Sequence, residues 1–145
     1  MSHSIDEVLR GASLYSDGLS YRILKLPPNA ITLAAGVVAE IGEPLCALIA
    51  DKDEVTLMIP EGAHKAYSAS LREVSASDEA YCLITLEAVL ALDLVGLLAR
   101  IAQALAAAGI PILTFAAYSR DHIFVPKDDF DKAILALRAL QGQRA

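Results

Sequence analysis

The chain has no tryptophan, only two cysteines among 145 residues, and a shortage of positive charge. Twelve Lys and Arg stand against eighteen Asp and Glu, a net charge of −6. Nucleic acid demands clustered cations against its phosphates, and the cations here are scattered, which argues against it as the main partner. The same balance disfavours an anionic membrane surface. No run reaches the roughly 18 uncharged apolar residues that a membrane span needs. Residues 94–113 come closest, and Arg100, Gln103, Gly109 and Pro111 interrupt them. Asp6 and Glu7 stand where a secretory leader would carry basic and apolar residues, so the expected compartment is cytoplasmic.

Chemical machinery is equally sparse. Cys46 and Cys82 each lie inside an apolar run, which reads as a buried reduced thiol rather than a metal ligand or redox centre. The three histidines, His3, His64 and His122, are isolated and lack the spacing of a metal site. His3 and His64 read as exposed, and His122 as a packed or hydrogen-bonded strand residue. There is no Gly-x-Gly-x-x-Gly or Walker pattern, and Ser68 and Ser70 lack a nucleophile-elbow context. The sequence therefore points to no catalytic residue, no metal and no cofactor.

What is present is apolar patterning, with 55% hydrophobic residues. A chain of this size buries roughly 68–70% of its unfolded surface, enough for a real core. The apolar excess favours cover by a second copy, a homodimer. Residues 1–18 read as an N-terminal extension with a short helix, Ile5, Val8, Leu9 and Ala12 on one face, broken at Ser16-Asp17-Gly18. Tyr21 to Leu26 reads as a strand stopped by Pro27-Pro28-Asn29. Residues 30–44 fit either state, with Val37 to Ile41 readable as extended. Leu45 to Ala50 and Val55 to Pro60 form a hairpin around Asp51-Lys52-Asp53-Glu54, and a short helix follows Glu61. Ser75-Ala76-Ser77-Asp78 is the linker candidate.

The second half is clearer. Tyr81 to Ala88 alternates, placing Cys82, Ile84, Leu86 and Ala88 on one face. Leu94, Leu98, Ile101, Leu105 and Ala108 recur at helical spacing, which predicts a helix over 94–108 with Asp93 as N-cap or ligand contact and Gly96 in its first turn. Gly109 and Pro111 end it. Ile110 to Ala117 and Asp121 to Pro126 read as strands around a polar link at 118–120. A helix led by Asp128, Asp129 and Asp131 then turns Phe130, Ala133, Ile134, Leu137 and Leu140 inward. The order β-α-β-β-α is most of a split βαβ unit, with two helices on one face of an antiparallel sheet.

Asp93-Leu94-Val95-Gly96-Leu97-Leu98-Ala99-Arg100-Ile101 resembles the Asp-x-x-Gly-x-Leu opening of the ACT domain, the small module that senses amino acids, and Ala108-Gly109-Ile110 resembles its helix exit. With Tyr118-Ser119-Arg120-Asp121-His122-Ile123-Phe124-Val125, the pattern is similar to the small tandem-ACT proteins related to the cytosolic arginine sensors. Asp53-Glu54-Val55-Thr56-Leu57-Met58-Ile59-Pro60 is similar to the Glu-x-Ser-x-Val-like strand of their first half, while residues 27–44 and 62–78 depart from the pattern. The resemblance implies an α+β, ferredoxin-like βαββα(β) ACT fold with two ACT-like halves in tandem: a divergent half over 19–74 and an ACT domain over 79–141.

It also implies a non-catalytic regulatory protein that binds a small molecule, an amino acid, between its halves or subunits and acts through a separate effector protein or its own oligomeric state. Asp93 and Leu94 open the loop. Gly96 would let the ligand approach the backbone, with the N–H groups of Val95 and Leu97 on its carboxylate. Asp121 would bind a cationic group, Tyr118 and Ser119 would line the pocket, and Glu54, Val55 and Thr56 would contribute from the first half. Asp121 and Glu54 also fit a bland reading, as turn and hairpin-tip residues. Two alternatives stand beside this one: a structural or interaction module of ACT fold that has lost its ligand, and a small ferredoxin-like enzyme using His122 with Asp121. Adjacent strand residues point to opposite faces, which works against the latter pair.

Overall fold

The computed structural model describes residues 4–88 and 94–142. In chain order its elements are α1 (Ile5–Gly11), β1 (Ser13–Tyr15), β2 (Ser20–Leu26), α2 (Ile31–Ile41), β3 (Ala47–Ala50), β4 (Val55–Pro60), α3 (Glu61–Tyr67), β5 (Ser75–Ala76), β6 (Tyr81–Glu87), α4 (Leu97–Ala107), β7 (Leu113–Ala116), β8 (Asp121–Pro126) and α5 (Phe130–Leu140). They gather into two units. One runs from Asp17 to Tyr81, and the other joins the N-terminal residues through Ser16 to those from Cys82 onward.

In the unit from Asp17 to Tyr81, Pro27 and Pro28 stop β2, and Pro28 starts a 3-10 turn that leads into α2. Proline suits a helix start because its missing N–H would be unpaired there anyway. Residues 31–41 are wholly helical, so Val37 to Ile41 is not extended. Ala30, Ala34, Val37, Val38 and Ile41 pack inward at helical spacing. The stretch is apolar or small nearly all round, so no polar face marks that period in the sequence.

The hairpin forms as the pattern predicts, with β3 and β4 paired from Ala47↔Met58 to Ala50↔Val55. At its tip the Asp51 carboxylate accepts from the N–H groups of Asp53 at 2.8 Å and Glu54 at 2.9 Å. These bonds favour the ionised form and hold the carboxyl below its usual range. β4 continues onto β2 from Val55↔Leu26 to Pro60↔Tyr21. Ser75 and Ala76, the supposed linker, are instead strand β5, paired with Lys25 and Leu24 of β2. His64 is not exposed either: it is half-buried, with Nε2 2.7 Å from Glu73 Oε1.

The other unit repeats the plan as β6-α4-β7-β8-α5, and its fourth strand comes from the opposite end of the chain. β1 pairs with β6 from Ser13↔Glu87 to Tyr15↔Thr85, as β5 pairs with β2. The N-terminal helix is therefore shorter than read: it ends at Gly11, and Ser13–Tyr15 is extended. Ser4 caps α1 by accepting from the Glu7 N–H at 3.2 Å. Ile84 and Leu86 of β6 and Ile123 and Val125 of β8 pack against Leu97, Ile101 and Leu105 of α4 and Ala133 and Leu137 of α5. Leu9 of α1 joins this core. Each unit is thus an α+β, antiparallel ferredoxin-like sheet layered with helices, and in sequence the unit from Asp17 to Tyr81 falls between the two parts of the other.

A cleft at the start of α4

The first surprise of the site is where its helix begins. α4 starts at Leu97, not at residue 94, and Gly96 is its N-cap rather than a first-turn residue. Asp93, read as the cap, lies outside the described residues. Gly96 holds φ +91° and ψ −2°, a left-handed conformation that costs an L side chain roughly 1–2 kcal/mol. A Cβ at this position would also meet Ile5 Cδ1 at 3.0 Å. Backbone conformation and the seat for Ile5 account for the glycine.

The late start rotates the buried stripe to Leu97, Ile101 and Leu105 and leaves Leu98 exposed. The first bond inside α4 runs from the Arg100 N–H to Gly96 O at 3.1 Å, and among the described residues no side-chain cap is seen at this end. The N–H groups of Leu97, Leu98 and Ala99 precede that first donor, as at any helix start, and carry the positive end of the helix dipole.

Opposite them lies the β7–β8 hairpin. The Ala117 N–H donates to Arg120 O at 2.9 Å, which sets Tyr118 and Ser119 at the tip. Asp121 sits across from Ala116 and Ile123 across from Thr114. Because strand side chains alternate, Asp121 shares the helix-facing side with buried Ile123 and Val125. Between hairpin and helix is a cleft of about 320 Å³, lined by Leu94, Gly96, Leu97, Leu98 and Ala99 on one side and Ala116, Ala117, Tyr118, Arg120 and Asp121 on the other. Its size falls in the lower part of the range for small-ligand sites.

The structure brings together Leu94, Gly96, Leu97, Tyr118 and Asp121 of the residues read from sequence. Val95 is 83% exposed, and neither it nor Ser119 is among the lining residues. Glu54, Val55 and Thr56 belong to the unit from Asp17 to Tyr81. There Val55 is core, Thr56 pairs with Lys25 in the ladder, and Glu54 Oε2 is 3.7 Å from Lys25 Nζ. The alanines at 116 and 117 leave the room that larger side chains would fill. Arg120 is the charged lining residue that sequence reasoning missed. Its signal was available: it flanks the hairpin tip beside Asp121, a charge of each sign at one strand end. The Arg120 guanidinium lies 3.9 Å from Glu87 Oε2, with both groups near half-exposed, a loose contact worth at most about 1 kcal/mol.

His122 points to the other face of the sheet, where Nδ1 lies 2.8 Å from Thr85 Oγ1. Asp121 and His122 are thus on opposite sides and do not form an acid–base pair. Burial pushes the imidazole below its ordinary value, while Asp121 raises it, Arg120 lowers it and Glu87 raises it. In the unfolded chain the ring titrates near its ordinary value of about 6.5. On acidification the unfolded state therefore takes up its proton first. The stability present above that value is lost as the pH falls through the folded value. Melting temperature should thus fall more steeply from pH 7 to pH 5 in the wild type than in His122→Gln; parallel curves would contradict this.

A sequence model of the ACT domain matches residues 76–139, the span containing the whole cleft. Over these residues the chain carries an ACT domain. The ACT domain so defined carries α4, the β7–β8 hairpin and α5. No curated protein sequence matches the chain. Among solved structures it is similar to a Vibrio cholerae protein of unknown function, VC0802, a possible transport protein, with 26% identity over 95% of this chain and 96% of that one and a TM-score of 0.69. It is similar in fold to Atu0741 of Agrobacterium tumefaciens, with 19% identity, 90% and 89% coverage and a TM-score of 0.69. The ligand-free regulatory subunit of aspartate kinase from Thermus thermophilus shares the fold at 14% identity, 88% and 95% coverage and a TM-score of 0.61.

Proposed function

We propose that this ACT-domain protein is a non-catalytic regulator that binds a free amino acid in the cleft at the start of α4. The observation that carries the reading is the meeting of the α4 N-terminus with the Asp121 carboxylate across one cleft. The former suits an α-carboxylate and the latter an ammonium group. The ligand would act by binding one arrangement of the protein better than another, shifting its own dimerisation or its hold on a separate effector protein. Exposed Tyr15, Val95, Tyr118 and Leu135 in the same unit favour a homodimer. No helix among the described residues is long and apolar enough to cross a membrane.

A thermal-shift screen of the common amino acids on protein freed of ligand tests the proposal. At a hundred times the Kd a ligand adds about 2.7 kcal/mol to the native state. That corresponds to several degrees in a chain of this size. Failure of every amino acid to raise the melting temperature would contradict it. A second reading, a structural ACT-fold module without a ligand, is favoured by one observation: Gly96 is already explained by its φ and by Ile5. Under that reading the screen is flat while the dimer persists in sedimentation.

A further inference from the structure

Residues 4–15 belong to the unit completed by the chain from Cys82 onward, and they have little structure of their own. α1 is seven residues long and buries Leu9 alone. Isolated helices below about 12–15 residues are marginal in water. β1 is three residues long and exists only as the partner of residues 85–87 in β6. Both elements therefore form by docking.

What they dock on spans the unit. At one end Ile5 lies against Gly96, where a Cβ would meet its Cδ1 at 3.0 Å, and the Arg100 guanidinium donates to Asp6 Oδ1 at 2.9 Å. Gly96 is the N-cap of α4, and the Arg100 N–H makes the first bond of that helix. Both contacts thus fall on the first turn of α4. At the other end Gln141, just past α5, donates to Leu9 O at 2.8 Å and Ala12 O at 2.7 Å, and Ser13–Tyr15 closes on β6. We propose that residues 4–15 act as a strap that docks and releases as one piece, passing the state of the first turn of α4 to β1. α1 makes the two ends one element, because a helix too short to stand alone keeps both seats or neither. A ligand at the start of α4 would favour the docked strap, and an empty cleft would favour its release. That last step rests on the amino-acid reading above; the strap itself does not.

Hydrogen exchange of the full chain, followed by amide NMR, tests both steps. Ile5→Ala acts at the α4 end and is read at the far end, where the Ser13–Tyr15 amides should exchange about tenfold faster for loss of a partly buried side chain. Gln141→Leu acts at the α5 end and is read at the Val8 amide, which makes the first bond of α1 to Ser4 O at 3.1 Å. Val8 and Ser13–Tyr15 should quicken by one factor within each variant, while the amides of α4 and α5 keep their rates. A variant that speeds only its own end, or neither, would overturn the strap. In the wild type, the amino acid with the largest thermal shift, added to saturation, should slow Ser13–Tyr15. If it leaves those amides unchanged, the coupling falls although the amino-acid site stands. If no amino acid shifts the melting temperature, the amino-acid reading falls, and the two variants alone decide the strap.

Discussion

Gly96→Val is expected to destabilise the protein by about 2–4 kcal/mol and to abolish ligand binding. Two costs combine. A β-branched residue held in the left-handed region carries roughly 1–3 kcal/mol of strain. Its first side-chain atom would also stand 3.0 Å from Ile5 Cδ1, closer than carbon atoms ordinarily pack, so the end of the Ile5 side chain must give by a few tenths of an ångström. The backbone strain falls on the N-cap that sets the N–H groups of Leu97 to Ala99. The two costs separate in a double-mutant cycle with Gly96→Ala and Ile5→Ala. Removing the Ile5 side chain relieves the contact but not the φ, so the pair should be less destabilising than the sum of the single variants. Strict additivity in urea denaturation would show that α1 does not rest on Gly96.

Gln141→Leu is expected to cost about 2–3 kcal/mol for a change that removes no apolar contact. Gln141 is only 6% exposed, and its Nε2 donates to Leu9 O at 2.8 Å and Ala12 O at 2.7 Å. These carbonyls end α1 and lead into β1. Leucine keeps the approximate volume but supplies no donor, and a buried carbonyl stripped of its partner loses about 1–3 kcal/mol. Leu9 O keeps a weak bond from the Ala12 N–H at 3.4 Å, so most of the cost falls at Ala12. The loss should be local in origin. Hydrogen exchange should show Ser13–Tyr15 and α1 opening first, ahead of α4 and α5. A loss below about 0.5 kcal/mol, or unchanged protection in the N-terminal segment, would contradict this role. By comparison Asp6→Asn, which removes a half-exposed 2.9 Å ion pair with Arg100, should cost no more than about 1 kcal/mol.

Both variants concern the segment that sequence reasoning understood least. Ser13–Tyr15 is three residues long, and its partner Thr85–Glu87 lies some seventy residues on. No local period announces a strand whose definition is its partner. α2 was ambiguous for a different reason: an apolar helix surrounded by small residues shows no polar face. The second half was legible because both its periods were clean. β6 alternates with Ile84 and Leu86 inward, and α5 buries Ala133 and Leu137 at helical spacing. Even there, the start of α4 was misplaced by three residues, because Asp93 has a cap's propensity whereas Gly96 has the conformation that decides the matter. The site was half legible for related reasons. Loop residues near a glycine could be proposed from pattern, but which of them line a cleft is decided only when the hairpin stands across from the start of α4.

The central claim is that an amino acid binds at the start of α4, and a two-dimensional amide NMR titration of the ligand-free protein measures it most directly. The most stabilising amino acid from the thermal screen is added to saturation. Saturable shifts should concentrate at the amides of Leu97, Leu98, Ala99 and Asp121, with the remaining hairpin amides following. A spectrum that does not change, or saturable shifts that spare the α4 start and the β7–β8 hairpin, would contradict the account.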